Sequence, residues 1–301
     1  MHQYFPSASL SILVRKGNET IYDNHPYLKE VLIWDKKKDK TKNLFKLLFK
    51  IRRNKYDCII NCHRYASSGF LTGFSGARHK AGYKQTPFAY LFDTTVKHQI
   101  GNGSHETERY NQLIEDFTDT KTFKPALYPS GTDFEKVKKL SSGSYVCMAP
   151  ASVWFTKQLG ANKWVELCNK TGNNTTIYLL GAPGDRDLCE SIKAKSTHKD
   201  IRILAGELSL LQSCALMKTA KMNYVNDSAP LHLASSVNAN VTAFFCSTVP
   251  EFGFGPLSDY AKIIQVEKLE CKPCGLHGYK ACPLTHFKCS ELININKVET
   301  F

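Results

Sequence analysis

The sequence predicts an α/β protein made of two doubly wound domains facing a cleft, each a parallel sheet covered by helices. Three observations carry that expectation. Short apolar runs ending in small or polar residues alternate with stretches of helical spacing along most of the 301 residues. The alternation breaks at residues 124–134 (KPALYPSGTDF), where two prolines and a glycine appear without periodicity, as in an interdomain linker. It then restarts, which places an incomplete first domain at residues 1–130 and a second at 131–301.

Composition narrows the class. Hydrophobic residues make up 42% and aromatics 11%, with no low-complexity tract, so a folded protein is expected throughout. No apolar run approaches a membrane span, and the opening MHQYFPSASLSILV lacks the charged-then-apolar layout of a signal peptide. A cytoplasmic chain is therefore expected, and its 11 Cys read as thiols or metal ligands rather than a disulfide framework. The net charge of +13 favours an anionic partner: nucleic acid, an anionic membrane surface or a phosphorylated substrate.

In order, a strand is predicted at 10–14 and another at 31–34, followed by KKKDKTKNLFKLLFKIRR. There Leu44, Leu47, Leu48 and Ile51 recur at helical spacing beneath a basic face. That face suits anionic lipid head groups. A solvated helix packed on a sheet is the commoner meaning of such a run. Residues 56–61 (YDCIIN) read as a buried strand, 67–73 as a helix with small residues, and 79–83 as a short strand. Residues 85–102 read as a loop able to cover a ligand, and 105–118 as a helix. In the second half, strands are expected at 144–148, 175–180, 201–204, 222–225 and 241–246. Helices at 161–170, after 185, at 209–219 and after Ser228 separate them, spacing that implies right-handed crossovers in a parallel sheet.

Parallel strands deliver their carboxyl ends to one edge, where ligands bind. The second half is organised around residues 224–236, YVNDSAPLHLASS: a strand end, a polar turn, and a helix entered through Ser228 with Pro230 in its first turn. Free amides and the positive end of that helix form a seat for phosphate. The loops 149–157 and 181–185 and the triplet Cys246, Ser247, Thr248 share its edge. Together they offer hydroxyls (Ser152, Thr156, Ser228), a cation (Lys157) and a carboxylate able to take a ribose diol (Asp185). That is a nucleotide-diphosphate site in kind. The chain has neither GxxxxGK[ST] nor GxGxxG, and no RNA or DNA motif, so no nucleic-acid partner is expected.

Several stretches resemble the ADP-heptose:lipopolysaccharide heptosyltransferases, glycosyltransferase family 9. APASVWFTKQLGANKWVEL resembles their donor-domain loop, and the likeness continues through LLGAPGDRD, LAGELSLLQSCALM, NDSAPLHLASSV and FGFGPLSD. YDCIINCHRYASSGFLTGFSGARHKAGY resembles the acceptor-domain segment, and CKPCGLHGYKACPLTHFKC the Cys-rich tail of the heptosyltransferase II branch. The resemblance implies a GT-B fold of two Rossmann-like domains. It implies inverting transfer of heptose, or a similar sugar, from an ADP-sugar donor to a lipopolysaccharide core or related lipid-linked acceptor, with no cofactor. Ser152 and Lys157 would hold the diphosphate, with Lys157 stabilising the leaving group, and Asp185 the ribose. Asp227, Ser228 and His232 would lie at the donor's phosphates and sugar. Peripheral contact with the inner face of the inner membrane is a further expectation.

Two departures qualify the resemblance. Ala229 stands where the family usually has Gly. The chain begins at what corresponds to the end of the first helix, so the first strand and the Gly-Asp loop bearing the general base are expected to be absent. No other Asp is nominated: Asp23 and Asp35 are nearest, without supporting context. An inactive nucleotide-sugar binder or partner subunit is therefore the alternative reading. Finally, Cys271, Cys274, Cys282 and Cys289 have the count for a structural metal site, with reduced thiols packing a turn, or a partial disulfide, as the other readings.

Overall fold

A computed structural model describes residues 1–301, which divide into units Met1–Phe123 and Lys124–Phe301. In the first unit, β1 (Leu10–Arg15) pairs in parallel with β2 (Leu28–Trp34), and α1 (Lys40–Asn54) follows. α1 buries Leu47, Leu48 and Ile51 against Leu32 and Trp34 of β2. β3 (Cys58–Asn61), α2 (Ala66–Gly73), β4 (His79–Tyr83), β5 (Thr94–Val96) and α3 (Glu106–Asn111) complete it, the three strands forming a separate parallel sheet in the order β3-β4-β5.

Two expectations about this unit are corrected. Residues 85–102 are not one loop, because 94–96 add β5 and the segment beyond it is pinned from within. Arg109, 2% exposed, donates to the carbonyls of Gln99 and Ser104 and to the Glu106 carboxylate, each at 2.8 Å. A buried guanidinium meeting three acceptors fastens backbone that carries no sheet ladder. The helix expected over 105–118 stops at Asn111, with a separate 3-10 turn at Glu115–Phe117.

The second unit opens earlier than its predicted start at 131. Lys124 forms an ion pair with Asp259, and Leu127 N donates to Ser236 O at 3.2 Å. What reads as linker also contains α4 (Gly131–Val137), started by a capping box in which Ser130 and Asp133 bond each other's backbone amides. Then come β6 (Tyr145–Ala149), α5 (Ala161–Lys170), β7 (Thr176–Leu179), α6 (Arg186–Lys195), β8 (Ile201–Ile203), α7 (Leu210–Thr219), β9 (Asn223–Asn226), α8 (Ala229–Ser236), β10 (Val241–Phe245), β11 (Ala261–Gln265) and α9 (Lys288–Glu291). The strands form one all-parallel sheet in the order β11-β10-β9-β6-β7-β8.

Helices cover both faces, so every residue of β6 and β10 is buried and neither strand alternates with polar residues. Val146 and Met148 face Trp164, Leu167 and Cys168 of α5. Tyr145, Cys147 and Ala149 face Leu216 of α7 and Leu231 of α8. The C-terminal segment returns over the first of these faces, adding Phe287, Cys289, Ile293, Ile295 and Val298 to its core. Tyr224 of β9 donates its hydroxyl to Glu299 O at 2.6 Å, fastening the chain end.

Two glycines separate close packing from open helix. A Cβ on Gly69 of α2 would lie 2.0 Å from Pro87 O, a contact that only a backbone shift relieves. A Cβ on Gly131 would meet nothing within 4 Å. Gly69→Ala is expected to lower stability by about 2–3 kcal/mol, and Gly131→Ala to raise it by about 0.5 kcal/mol. Thermal unfolding of the two variants checks both signs.

Candidate active site

β6 opens the second sheet from its middle. The chain first moves outward to β7 and β8, then returns to β9 on the other side of β6 and continues to β10 and β11. The order therefore reverses between β6 and β9, and the loops leaving these strands diverge from a switch point, the place where open α/β sheets take ligands.

Asn226, the last residue of β9 and fully buried, holds this point together. Its amide nitrogen donates to Pro150 O at 2.8 Å, and its amide oxygen accepts from Leu159 N at 2.9 Å. One side chain thereby clasps both ends of the loop after β6. On that loop Lys157 reaches back to Asp227, its Nζ 2.6 Å from Oδ2, with the two side chains only 16% and 5% exposed. Thr248, after β10, donates its hydroxyl to the same Oδ2 at 2.6 Å. A carboxylate at this depth requires a paired cation and hydrogen bonds, and it has both.

Ser228 follows, extended at φ −156°, and makes no side-chain cap bond to α8; its hydroxyl leans to Asn226 O at 3.5 Å. Pro230 has no N–H and the Leu231 amide is taken by Ser228 O at 3.0 Å. α8 therefore begins two residues after Asp227 with no side-chain cap at its positive end. Ala229 is exposed there, and His232 is exposed one turn further on.

The other predicted site residues are less direct. Ser152 lies on the β6 loop, half-buried, with its carbonyl accepting from the Gln158 amide at 2.7 Å. Asp185 lies at the same sheet edge, in the turn after β7, and its Oδ2 accepts from Ala182 N at 2.7 Å. It is not joined to the Lys157–Asp227 pair. Thr156 is a correction: it is 1% exposed and its hydroxyl accepts from Tyr279 N at 2.7 Å, so it anchors the tail and offers a ligand nothing. In the first unit, Asp35 is bound to Lys16 at 2.8 Å and accepts the Lys37 amide at 3.0 Å, which makes it a turn residue.

Sequence reading missed the clasp of Asn226, the bond from Thr248 and the role of Gly278. Gly278 has φ +76°, and a Cβ there would stand 2.9 Å from Thr156 Oγ1 and 3.2 Å from both Lys157 Cγ and Ser247 Oγ. Only glycine lets the Cys-rich segment cross so near the lysine. One of its lysines, Lys272, donates to Phe245 O at 3.0 Å and Gln265 Oε1 at 2.7 Å at the ends of β10 and β11, where burial lowers its pKa. All 11 cysteines are free thiols, and no three His, Cys, Asp or Glu side chains are grouped to hold a metal ion. Cys274 donates to Cys271 O at 2.9 Å, and burial pushes the Cys289 thiol up to about 12.

Removing one partner of the central pair leaves the other charge buried alone. Lys157→Met is expected to cost about 3 kcal/mol, with most of the loss recovered in a Lys157→Met, Asp227→Leu double variant. Thr248→Val is expected to cost about 1 kcal/mol. Urea unfolding of the set measures the coupling.

Comparison with known proteins identifies the family. Residues 44–282 match Glycosyltransferase family 9 (heptosyltransferase). Lipooligosaccharide heptosyltransferase 2 of Campylobacter jejuni is 24% identical over 220 residues, 71% of this chain and 66% of that protein, so the chain spans just under two thirds of this relative's length. The solved Escherichia coli ADP-heptose lps heptosyltransferase II superposes with a TM-score of 0.74 at 19% identity, covering 97% of this chain and 91% of the other. A family 9 glycosyl transferase from Veillonella parvula gives 0.76 at 17%, covering 87% and 78%. An Escherichia coli heptosyltransferase solved with ADP gives 0.68 at 17%, covering 87% and 85%. These structures share the fold, and the match across most of the sequence shows that the chain belongs to glycosyltransferase family 9, the heptosyltransferases.

Proposed function

We propose that this protein is an inverting glycosyltransferase that moves heptose, or a similar sugar, from an ADP-sugar to a lipopolysaccharide core or related lipid-linked acceptor. The observation that carries the reading is the meeting of Lys157, Asp227 and the open end of α8 at the switch point of the second sheet. Relatives named for ADP-heptose and for lipooligosaccharide support the choice of donor and acceptor.

The chemistry asks for little else at the donor. The acceptor oxygen bonds to the anomeric carbon from the side opposite the diphosphate, the bond to the phosphate oxygen breaks, and ADP leaves with the electron pair. The acceptor's proton passes to a base that no residue described above is assigned to. Charge grows on the departing phosphate oxygen, where a fixed ammonium and helix amides act without rearranging. Lys157 is already oriented by Asp227, so it meets that charge in place. Asp185, two strands from Asp227 along the same edge, would take the ribose hydroxyls by exchanging its bond to Ala182.

Calorimetric titration with ADP, followed by assay of ADP release from ADP-heptose with a truncated lipopolysaccharide, tests the reading. Lys157→Gln, which keeps a hydrogen-bond donor and removes the charge, is expected to weaken ADP binding and to lower kcat about 100-fold. Asp185→Asn is expected to raise KM for the donor about tenfold with kcat kept. ADP binding without turnover would favour a nucleotide-sugar-binding subunit. No ADP binding would overturn both readings.

A further inference from the structure

Between β11 and α9 the chain carries no helix or strand, and this irregular stretch gathers the accessible thiols of the second unit. Of the nine cysteines there, six are buried, whereas Cys271, Cys274 and Cys282 are half-buried. These three line one cavity of about 380 Å³, together with Tyr279 and Leu284. Cys271 and Cys274 are separated by two residues in the run CKPC. The Cys274 thiol donates to Cys271 O at 2.9 Å and lies within hydrogen-bonding reach of the Cys271 side chain. Thiols at this spacing, close together and open to solvent, are the arrangement that disulfide exchange uses.

The same stretch is laced to the loops that hold the Lys157–Asp227 pair. Cys274 N donates to Ser247 O at 2.9 Å, one residue before Thr248, whose hydroxyl bonds Asp227. Ser247 N donates to Thr156 O at 3.2 Å. Tyr279 N donates to Thr156 Oγ1 at 2.7 Å, and Thr156 N returns a bond to Tyr279 O at 3.1 Å. Between these anchors lies Gly278, where a Cβ would press on Lys157 Cγ at 3.2 Å. Residues 274–279 therefore form a strap across the loops after β6 and β10, fixed at Cys274 and Tyr279 and passing over the lysine. Gly275 and Gly278 have φ of +105° and +76°, so the strap turns on two residues free to adopt other backbone angles.

We propose that Cys271 and Cys274 form a reversible disulfide, and that closing it shifts the strap over Lys157 and weakens the anion site beneath. That last effect rests on the donor-site function proposed for Lys157; the disulfide and the shift do not. With a low-molecular-weight disulfide such as glutathione disulfide as oxidant, the Cys271 thiolate attacks one sulfur of the oxidant, forming a mixed disulfide and expelling one glutathione thiolate. The Cys274 thiolate then attacks the Cys271 sulfur, the internal bond forms and the second glutathione leaves. Two protein thiols are oxidised, one disulfide is reduced, and the two thiol protons end on the two glutathiones. The order follows from burial, which raises the pKa of Cys274, and from the engagement of its proton by Cys271 O. The internal bond removes that proton and draws the two sulfurs to about 2.05 Å. Cys274 moves toward Cys271, which strains its amide bond to Ser247 and the strap behind it.

Treatment of the full chain with glutathione disulfide, against dithiothreitol as the reduced state, tests this. Peptide mass mapping after alkylation is expected to show a disulfide between Cys271 and Cys274 that dithiothreitol reverses. Hydrogen exchange at the amides of Thr156, Cys274 and Tyr279 is expected to quicken at least ~10-fold on oxidation. ADP affinity, by calorimetry, is expected to fall about tenfold. Cys274→Ser is expected to stop at a glutathione adduct on Cys271, and Cys271→Ser with Cys274→Ser to keep exchange and ADP affinity unchanged under oxidant. Matched thermal unfolding of the variants separates a lost switch from a lost fold. Mapping and exchange need no nucleotide: if the reduced chain binds no ADP, the donor-site reading and the affinity effect fall together, while these two measurements still decide the switch. Cys271 and Cys274 left reduced while other thiols react, a metal ion shielding the pair until a chelator removes it, unchanged exchange in the bridged chain, or a bridged chain that binds ADP as tightly as the reduced one would each overturn the proposal.

Discussion

The buried pair of Lys157 and Asp227 is the constraint around which the second unit is arranged. A carboxylate as enclosed as that of Asp227 would be costly without its cation, so the loop after β6 must bring Lys157 to it. Asn226 makes that approach possible by closing the same loop through backbone bonds at both ends. The Cys-rich segment then passes over the loop at Gly278, where a side chain would press on Lys157. Strand order, loop closure and the tail thus converge on one ammonium position.

That arrangement explains why a charged pair is retained in a unit otherwise so apolar. Replacing both partners by hydrophobic residues would satisfy packing, yet it would remove the only buried cation at the carboxyl end of β6 and β9. An ammonium already held in one position by Asp227 can meet an anion without first losing rotamer freedom. The same carboxylate that orients it also limits its free charge. Affinity for phosphate then depends on the helix amides as well as on the lysine.

The first unit follows a different logic. Its polar anchor is Arg109, which fastens backbone beyond β5 rather than gathering groups for chemistry. Its exposed rings are held by one another and by the Arg52 bond to α2.

Much of this was legible in the residues themselves. Apolar runs of four or five residues, each closing on a polar turn, marked the parallel strands, because burial on both faces removes the alternation that an exposed sheet keeps. Ser228 and Pro230 marked the start of α8, and the position of Lys157 in its loop marked it as the cation. Other features were illegible for local reasons. The short β5 has no pattern beyond three residues, and the capping box of Ser130 and Asp133 was masked by neighbouring prolines. Thr156 reads as a hydroxyl open to a ligand, and only the tail returning from more than 120 residues away buries it. The clasp of Asn226 is likewise invisible in sequence, since a buried amide and a surface amide are spelled alike. By itself the sequence determined the alternation, the strand ends and which charged groups lay at them, because these follow from local periodicity and turn chemistry. Tertiary structure decided that Lys157 meets Asp227 and that Thr156 is closed off. Those outcomes depend on strand order and on contacts between segments far apart in the chain, which no local pattern encodes.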